Sequence, residues 1–219
     1  MRIDIRGAIV PNDDAWVYDY LGVDNCCPAA VLGKLKEAAG AEVDVYINSG
    51  GGSLFSGSEI YDALRNYAGG VKIHIPSSAA SAASMIACAG WCDIAPTAML
   101  MVHNVADAGA YGDYHVKDRE SAMLKTANEA IAAAYMEKTG MKREEVLDLM
   151  DQETWLTAEE AVKIGLVDEI SRPARNFVAD SGGLLPPEAV ERIRKTLKSP
   201  AAARAQAELD FLKLKGEKI

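Results

Sequence analysis

The sequence predicts an α/β fold in which strands and helices alternate, and three observations carry that prediction. Short apolar runs of period two alternate with stretches of helical period. One strand runs straight into Asn48-Ser49-Gly50-Gly51-Gly52 and then into a helix. The stretch Ile75 to Gly90, IPSSAASAASMIACAG, leaves another strand through Pro76, crosses small residues and enters a helix rich in Ala and Gly. Such a helix lets another backbone lie very close.

Taken in order, Arg2 to Val10 reads as a strand with Ile3 and Ile5 inward, ended by the turn residues Pro11-Asn12-Asp13-Asp14. Pro28 to Gly40 is an amphipathic helix with Val31, Leu32, Leu35 and Ala38 on one face. Val43 to Ile47 is the second strand, and a helix follows from about Ser56 to Tyr67. Val71 to Ile75 is the third strand, leading to a helix entered at Ser84-Met85, and Ala98 to Val102 is the fourth. The longest helix spans His115 to Thr139, with Val116, Met123, Ala127, Ala130, Ile131 and Ala134 on one stripe and Gly140 to close it. That stripe suits either a core helix or an arm packing on a neighbouring subunit. Lys142 to Met150 and Thr157 to Gly165 are short helices, and Leu166 to Ile170 is a last strand. After Pro173 the composition changes: Ser181-Gly182-Gly183 and Pro186-Pro187 mark a linker, followed by a helical tail with eight basic and five acidic residues over 188–219. The expected organisation is one domain over residues 1–173 and a linker with basic helical tail over 174–219.

The net charge of −9, with 23 basic against 32 acidic residues, argues against nucleic acid as the main partner. Cys26, Cys27, Cys88 and Cys92 have neither disulfide-framework nor zinc spacing and read as reduced thiols. The N-terminus lacks the apolar core of a signal peptide or membrane span, so a cytoplasmic location and no membrane partner are expected. No metal or organic cofactor is indicated.

Three features lie at the carboxyl ends of strands, where open α/β sheets place their sites. Ser84, at the predicted helix entrance, is placed like a nucleophile, because free helix N–H groups there stabilise an oxyanion. The glycine run lacks the Gly-Lys-Ser/Thr ending of a phosphate loop and fits an oxyanion hole better. Of the three histidines, His74 alternates with inward residues and His115 opens a polar helix, which leaves His103 as the base candidate.

With Tyr46-Ile47-Asn48-Ser49-Gly50-Gly51-Gly52, Ala82-Ala83-Ser84-Met85, Met101-Val102-His103 and Trp155-Leu156-Thr157-Ala158-Glu159-Glu160-Ala161 in this order, the chain resembles the ClpP family of Clp protease proteolytic subunits. It resembles most the ClpP-related head maturation proteases of tailed phages and prophages. The likeness covers roughly residues 2–172, with Gly50 where the family carries proline. It implies a crotonase-like spiral of repeated β-β-α units with a protruding handle helix from His115, a ring-shaped homo-oligomer and serine endopeptidase activity on polypeptides, here capsid and scaffold proteins inside an assembling phage head. Carried over, Ser84 is the nucleophile, His103 the general base, and the N–H groups of Gly51 and Met85 the oxyanion hole.

The third triad member departs from the pattern. Leu149 stands where the resemblance places the family's aspartate, flanked by Asp148 and Asp151. Asp151, at a helix C-terminus where negative charge is locally unfavourable, is the preferred candidate, with Asp148 or a Ser–His dyad as alternatives. Family members that meet an ATP-dependent unfoldase carry an extension before the first strand, whereas strand residues here begin at Arg2, which makes such a partner possible but doubtful. Two other classes compete: an acyl-CoA lyase or isomerase sharing the crotonase fold, and a ring-forming structural subunit with a degenerate site.

Overall fold

The computed structural model describes residues 1–107 and 111–172. The predicted linker and basic tail lie outside them. The described residues fall into two compact units, residues 1–15 with 24–172, and Trp16–Val23. Most of Trp16–Val23 lies in the helix α1 (Ala15–Leu21), which follows the predicted Asp13-Asp14 turn and has no buried residue. Everything below concerns the first unit.

Its centre is a strand that pairs on both sides. β1 (Arg2–Ile9) buries Ile3, Ile5 and Ile9 and runs parallel to β3 (Val43–Gly52), with Ile3 opposite Val45 and Ile5 opposite Ile47. The register shifts between Arg6 and Ala8. Gly7 sits there at φ 70°, and a Cβ on it would fall 1.8 Å from the carbonyl oxygen of Asp24. β2 (Asn25–Cys26) extends β1 on its other edge, and α2 (Pro28–Ala38) follows, burying Val31, Leu35 and Ala38.

Beyond β3 the sheet forks. The first half of β3 pairs with β4 (Val71–Ile75), which continues to β6 (Trp91–Ile94) and β9 (Glu169–Ile170). The second half pairs through Ser49 and Ala79 with β5 (Ser78–Ala80), which continues to β7 (Met99–Val102) and β8 (Thr154–Thr157). All these pairs are parallel except β7 with β8. The chain thus sends one strand to each branch before two successive helices. β4 and β5 precede α4 (Ala82–Ala87), and β6 and β7 precede α5 (Tyr114–Thr139). β3 spans both branches before α3 (Leu54–Arg65). These are the repeated β-β-α units of the expected crotonase-like spiral.

Two sequence expectations change here. The glycine run is not a loop, because β3 continues through it, with Gly51 opposite Ala8 and Gly52 opposite Ile9. The small-residue helix begins at Ala82 rather than Ser84, because β5 consumes Ser78 to Ala80 and leaves Ser81 at the junction.

Ile47, Ile73, Ile75, Ile94 and Leu100 of the parallel strands are fully buried, as is Ile86 of α4. α3 crosses α4 closely, and a Cβ on Gly57 would lie 2.9 Å from that of Ala82. α5 is capped by the Asp113 carboxylate on the Val116 N–H and ends at Gly140, φ 71°. Its buried residues, Ala127, Ile131, Ala132, Ala134 and Tyr135, all lie in its second half. The second half therefore belongs to the core, while the first leaves Tyr114 and Met123 exposed. Near its end the Lys138 ammonium donates to the Gly90 carbonyl at 2.8 Å and to the Asp168 carboxylate at 2.5 Å, tying the helix to the sheet. α6 (Arg143–Asp151) and α7 (Ala158–Lys163) complete the unit, α7 opened by a reciprocal Thr157–Glu160 capping box.

Candidate active site

Three strand ends converge. β5 ends at Ala80, and the N–H of the next residue, Ser81, donates to the Met101 carbonyl at 3.1 Å. The chain must then turn abruptly into α4. It does so with Ser81 at φ 58° and ψ −129°, a conformation that costs a non-glycine residue about 1–3 kcal/mol. The Ser81 carbonyl is held by the N–H groups of Ser84 (2.9 Å) and Met85 (3.3 Å) and by the Ser84 hydroxyl (2.7 Å). The Ser81 hydroxyl is thereby presented on the outside of the turn.

His103 follows β7 directly, and its Nε2 lies 2.7 Å from the Ser81 Oγ. From the third side, β3 brings Gly51 against the turn at φ 92°. A Cβ there would stand 2.6 Å from the Ser81 Cβ and 3.0 Å from the Ala82 nitrogen. As the first residue of α4, Ala82 has no carbonyl one turn back to receive its N–H. Both Ser81 and Ala82 border a cavity of about 310 Å³ whose walls include Gly52, Leu54, His103 and Ile131.

Of the sequence-predicted site residues, His103 and Gly51 reach this point and three others do not. Ser84 is fully buried, and its hydroxyl donates to the Ser81 carbonyl and meets the Tyr135 hydroxyl at 2.8 Å, not His103. The reason is one helical turn: Ser84 lies three residues inside α4 and faces the core. Met85 is also buried, and its N–H is spent on the Ser81 carbonyl, so it is not free to meet an oxyanion. The Asp151 carboxylate, at the end of α6, accepts from the Asn104 amide at 2.7 Å instead of from His103. Asp148 is exposed on α6, and among the described residues no carboxylate hydrogen-bonds His103. The Gly51 N–H donates to the Ser49 Oγ at 3.0 Å, and that hydroxyl donates in turn to the Gly7 carbonyl.

Sequence reasoning missed Ser81, Ala82 and Tyr135. The signal for the first two was present: the segment holds two Ala-Ala-Ser triplets, 79–81 and 82–84, and only the first abuts a strand end. Tyr135 carried no signal, since a tyrosine on an apolar helix face is ordinary core.

The other histidines stand apart. His74 faces away from the core between Asp93 (2.9 Å to Nδ1) and Asp44 (3.3 Å to Nε2) and lies against the Tyr46 ring. His115 is exposed beside Tyr114. All four cysteines are free thiols; burial pushes Cys26 and Cys88 up to about 12 and Cys92 well above its ordinary value. Among the described residues no group of His, Cys, Asp or Glu is arranged to hold a metal ion, and no helix is long and apolar enough to cross a membrane.

Known proteins agree with this architecture. The Clp protease family profile matches residues 29–174, a span that runs from α2 past β9 and contains every element of the converging site. The chain is 31% identical over 158 residues to the ATP-dependent Clp protease proteolytic subunit 1 of Corynebacterium diphtheriae, covering 68% of this chain and 74% of that one. With strand ends meeting at a strained serine and a histidine, a β-β-α spiral around them, and both the family profile and the Corynebacterium relative matching most of its length, the chain belongs to the Clp protease family of peptidases.

Proposed function

We propose that the protein is a serine endopeptidase in which Ser81 is the nucleophile and His103 the general base. The observation that carries this is the 2.7 Å contact between the His103 Nε2 and the Ser81 Oγ at a strained strand-to-helix turn. A serine hydroxyl attacks a peptide carbonyl only when a base within hydrogen-bond reach removes its proton. His103 takes that proton as Oγ bonds to the carbonyl carbon. The Ala82 N–H receives the oxyanion, while the Gly51 N–H remains on the Ser49 Oγ. His103 then gives the proton to the departing amine, leaving an acyl group on Ser81, and a water activated by His103 releases it.

His103 acts here without a bonded carboxylate, as a dyad, and Asp151 acts on the neighbouring Asn104. The apolar cavity walls, Leu54 and Ile131 among them, suit a hydrophobic side chain beside the scissile bond. The exposed first half of α5 is the surface for subunit association in a homo-oligomeric ring. Capsid and scaffold polypeptides are the natural substrates to try first, on the sequence likeness to the phage head maturation proteases.

A fluorogenic peptide amide with an apolar residue before the scissile bond tests the chemistry. Ser81→Ala and His103→Ala each lower kcat/KM by about 10³-fold or more, by the size of triad-member losses. Undiminished turnover by Ser81→Ala would end the assignment.

A further inference from the structure

The hydrogen bonds beneath Ser81 run in one direction. Ser84 has a single hydroxyl proton and donates it to the Ser81 carbonyl at 2.7 Å. Its 2.8 Å contact with Tyr135 must therefore be a donation from the phenol to the Ser84 Oγ. A serine bonding a carbonyl three residues back is a routine local motif. The phenol is not local: it comes from α5, 51 residues further along the chain. Ser84 is 0% and Tyr135 3% exposed, so water does not compete for either bond. Burial also keeps the phenol protonated, raising it well above the ordinary tyrosine value, and so keeps it a donor.

What this relay holds is a peptide plane. In a trans peptide the carbonyl and the following N–H point in opposite directions. Fixing the Ser81 carbonyl on the Ser84 side turns the Ala82 N–H the other way, toward the turn's outer face, where Ser81 and Ala82 border the cavity. We infer that Ser84 and Tyr135 are positioning residues, which through the Ser81–Ala82 peptide set the oxyanion donor for acyl transfer. This rests on the serine-peptidase assignment above. Neither residue touches the reacting atoms through its hydroxyl; both act through the peptide they anchor. A donor of this kind works where charge develops, so its misalignment lowers kcat and leaves substrate binding nearly unchanged.

The test is a double-mutant cycle on the full chain with a fluorogenic peptide amide, in parallel with inhibition by a peptide boronate, which mimics the tetrahedral intermediate. Removing an oxyanion donor outright costs about 10²–10³-fold in kcat, so loosening one should cost about 10-fold in Ser84→Ala and about 3-fold in Tyr135→Phe. KM should stay within twofold, and boronate affinity should fall in step with kcat. The double variant should be no worse than Ser84→Ala, because both substitutions cut one relay. Tyr135→Phe keeps the buried ring, so a folded protein is available even if Ser84→Ala unfolds. Unchanged kcat in Tyr135→Phe, a loss confined to KM, or losses that multiply in the double variant would overturn the inference. Full activity in Ser81→Ala would instead overturn the peptidase assignment beneath it.

Discussion

Gly51→Ala is the substitution whose consequence the structure dictates most fully, and Gly50→Ala is its control. At Gly51 the backbone has φ 92°, where an L side chain is strained, and the new Cβ would stand 2.6 Å from the Ser81 Cβ and 2.7 Å from the Ala80 carbonyl oxygen. Two of the three nearest atoms belong to backbone, so the collision is not relieved by rotating a side chain. Left-handed strain of about 1–2 kcal/mol and overpacking of about 1–3 kcal/mol together give roughly 2–5 kcal/mol of destabilisation. At about 2–4 °C per kcal/mol for a domain of this size, the thermal midpoint falls by roughly 4–20 °C. The catalytic effect is separate and larger. The atom displaced is on Ser81 itself, and a 1 Å misplacement of a reacting group costs about 10²-fold. Gly50 has nothing within 4 Å of its would-be Cβ and no positive φ, so Gly50→Ala should shift stability by no more than about 0.5 kcal/mol and leave turnover intact. Circular dichroism melting and peptide turnover on the two variants side by side make the comparison. Equal activity in the two would refute the claim that β3 presses on the Ser81 turn.

Other consequences are open to measurement. Lys138→Met removes two hydrogen bonds from a nearly buried ammonium, to Gly90 and to a partly solvated Asp168. It should cost about 1.5 kcal/mol, a fall of a few degrees in thermal midpoint, with kcat within twofold of wild type. The buried thiols predict alkaline sensitivity. Cys26 and Cys88 stay protonated up to about 12 in the fold but ionise near 9.0 when unfolded, so the unfolded state binds fewer protons above pH 9 and stability falls as pH rises through that range. Urea midpoints at pH 8 and pH 10.5 should show the drop, and a Cys26→Ala/Cys88→Ala variant should show a smaller one.

Much of the fold was legible because long elements announce themselves. The alternation of Val43, Val45 and Ile47 and the helical stripe through Ile131 and Ala134 needed no tertiary information, and α2 and α5 begin within a residue of where the pattern places them. The short strands were not legible. β5 is Ser-Ala-Ala, without a single β-branched residue, and exists because Ala79 pairs with Ser49 on one side and Leu100 on the other. β6, for which the sequence pattern names no strand, is one because Ile73 and Ile75 already wait beside Cys92 and Ile94.

Missing β5 is what displaced the predicted strand-to-helix junction. Without that strand the junction moves three residues down the chain, from the first Ala-Ala-Ser triplet to the second, and the serine chosen for it lies inside α4 with its hydroxyl on the Ser81 carbonyl. Met85 was displaced by the same slip, and Ala82 takes its place as the first residue of the helix. The position of His103 at a strand end was legible because its strand, Met99–Val102, is apolar and ends cleanly before it. Asp151 illustrates the remaining limit. Its position at the end of α6 was legible, but its choice of Asn104 over His103 depends on how α6 docks, which no local pattern encodes.

The most direct measurement is to label the protein with a fluorophosphonate and locate the adduct by peptide mass spectrometry. Labelling at Ser81, abolished in Ser81→Ala and in His103→Ala but still detectable in Ser84→Ala, is the result expected from the 2.7 Å pairing of Ser81 with His103. An adduct on Ser84, or labelling that survives Ser81→Ala, would contradict it.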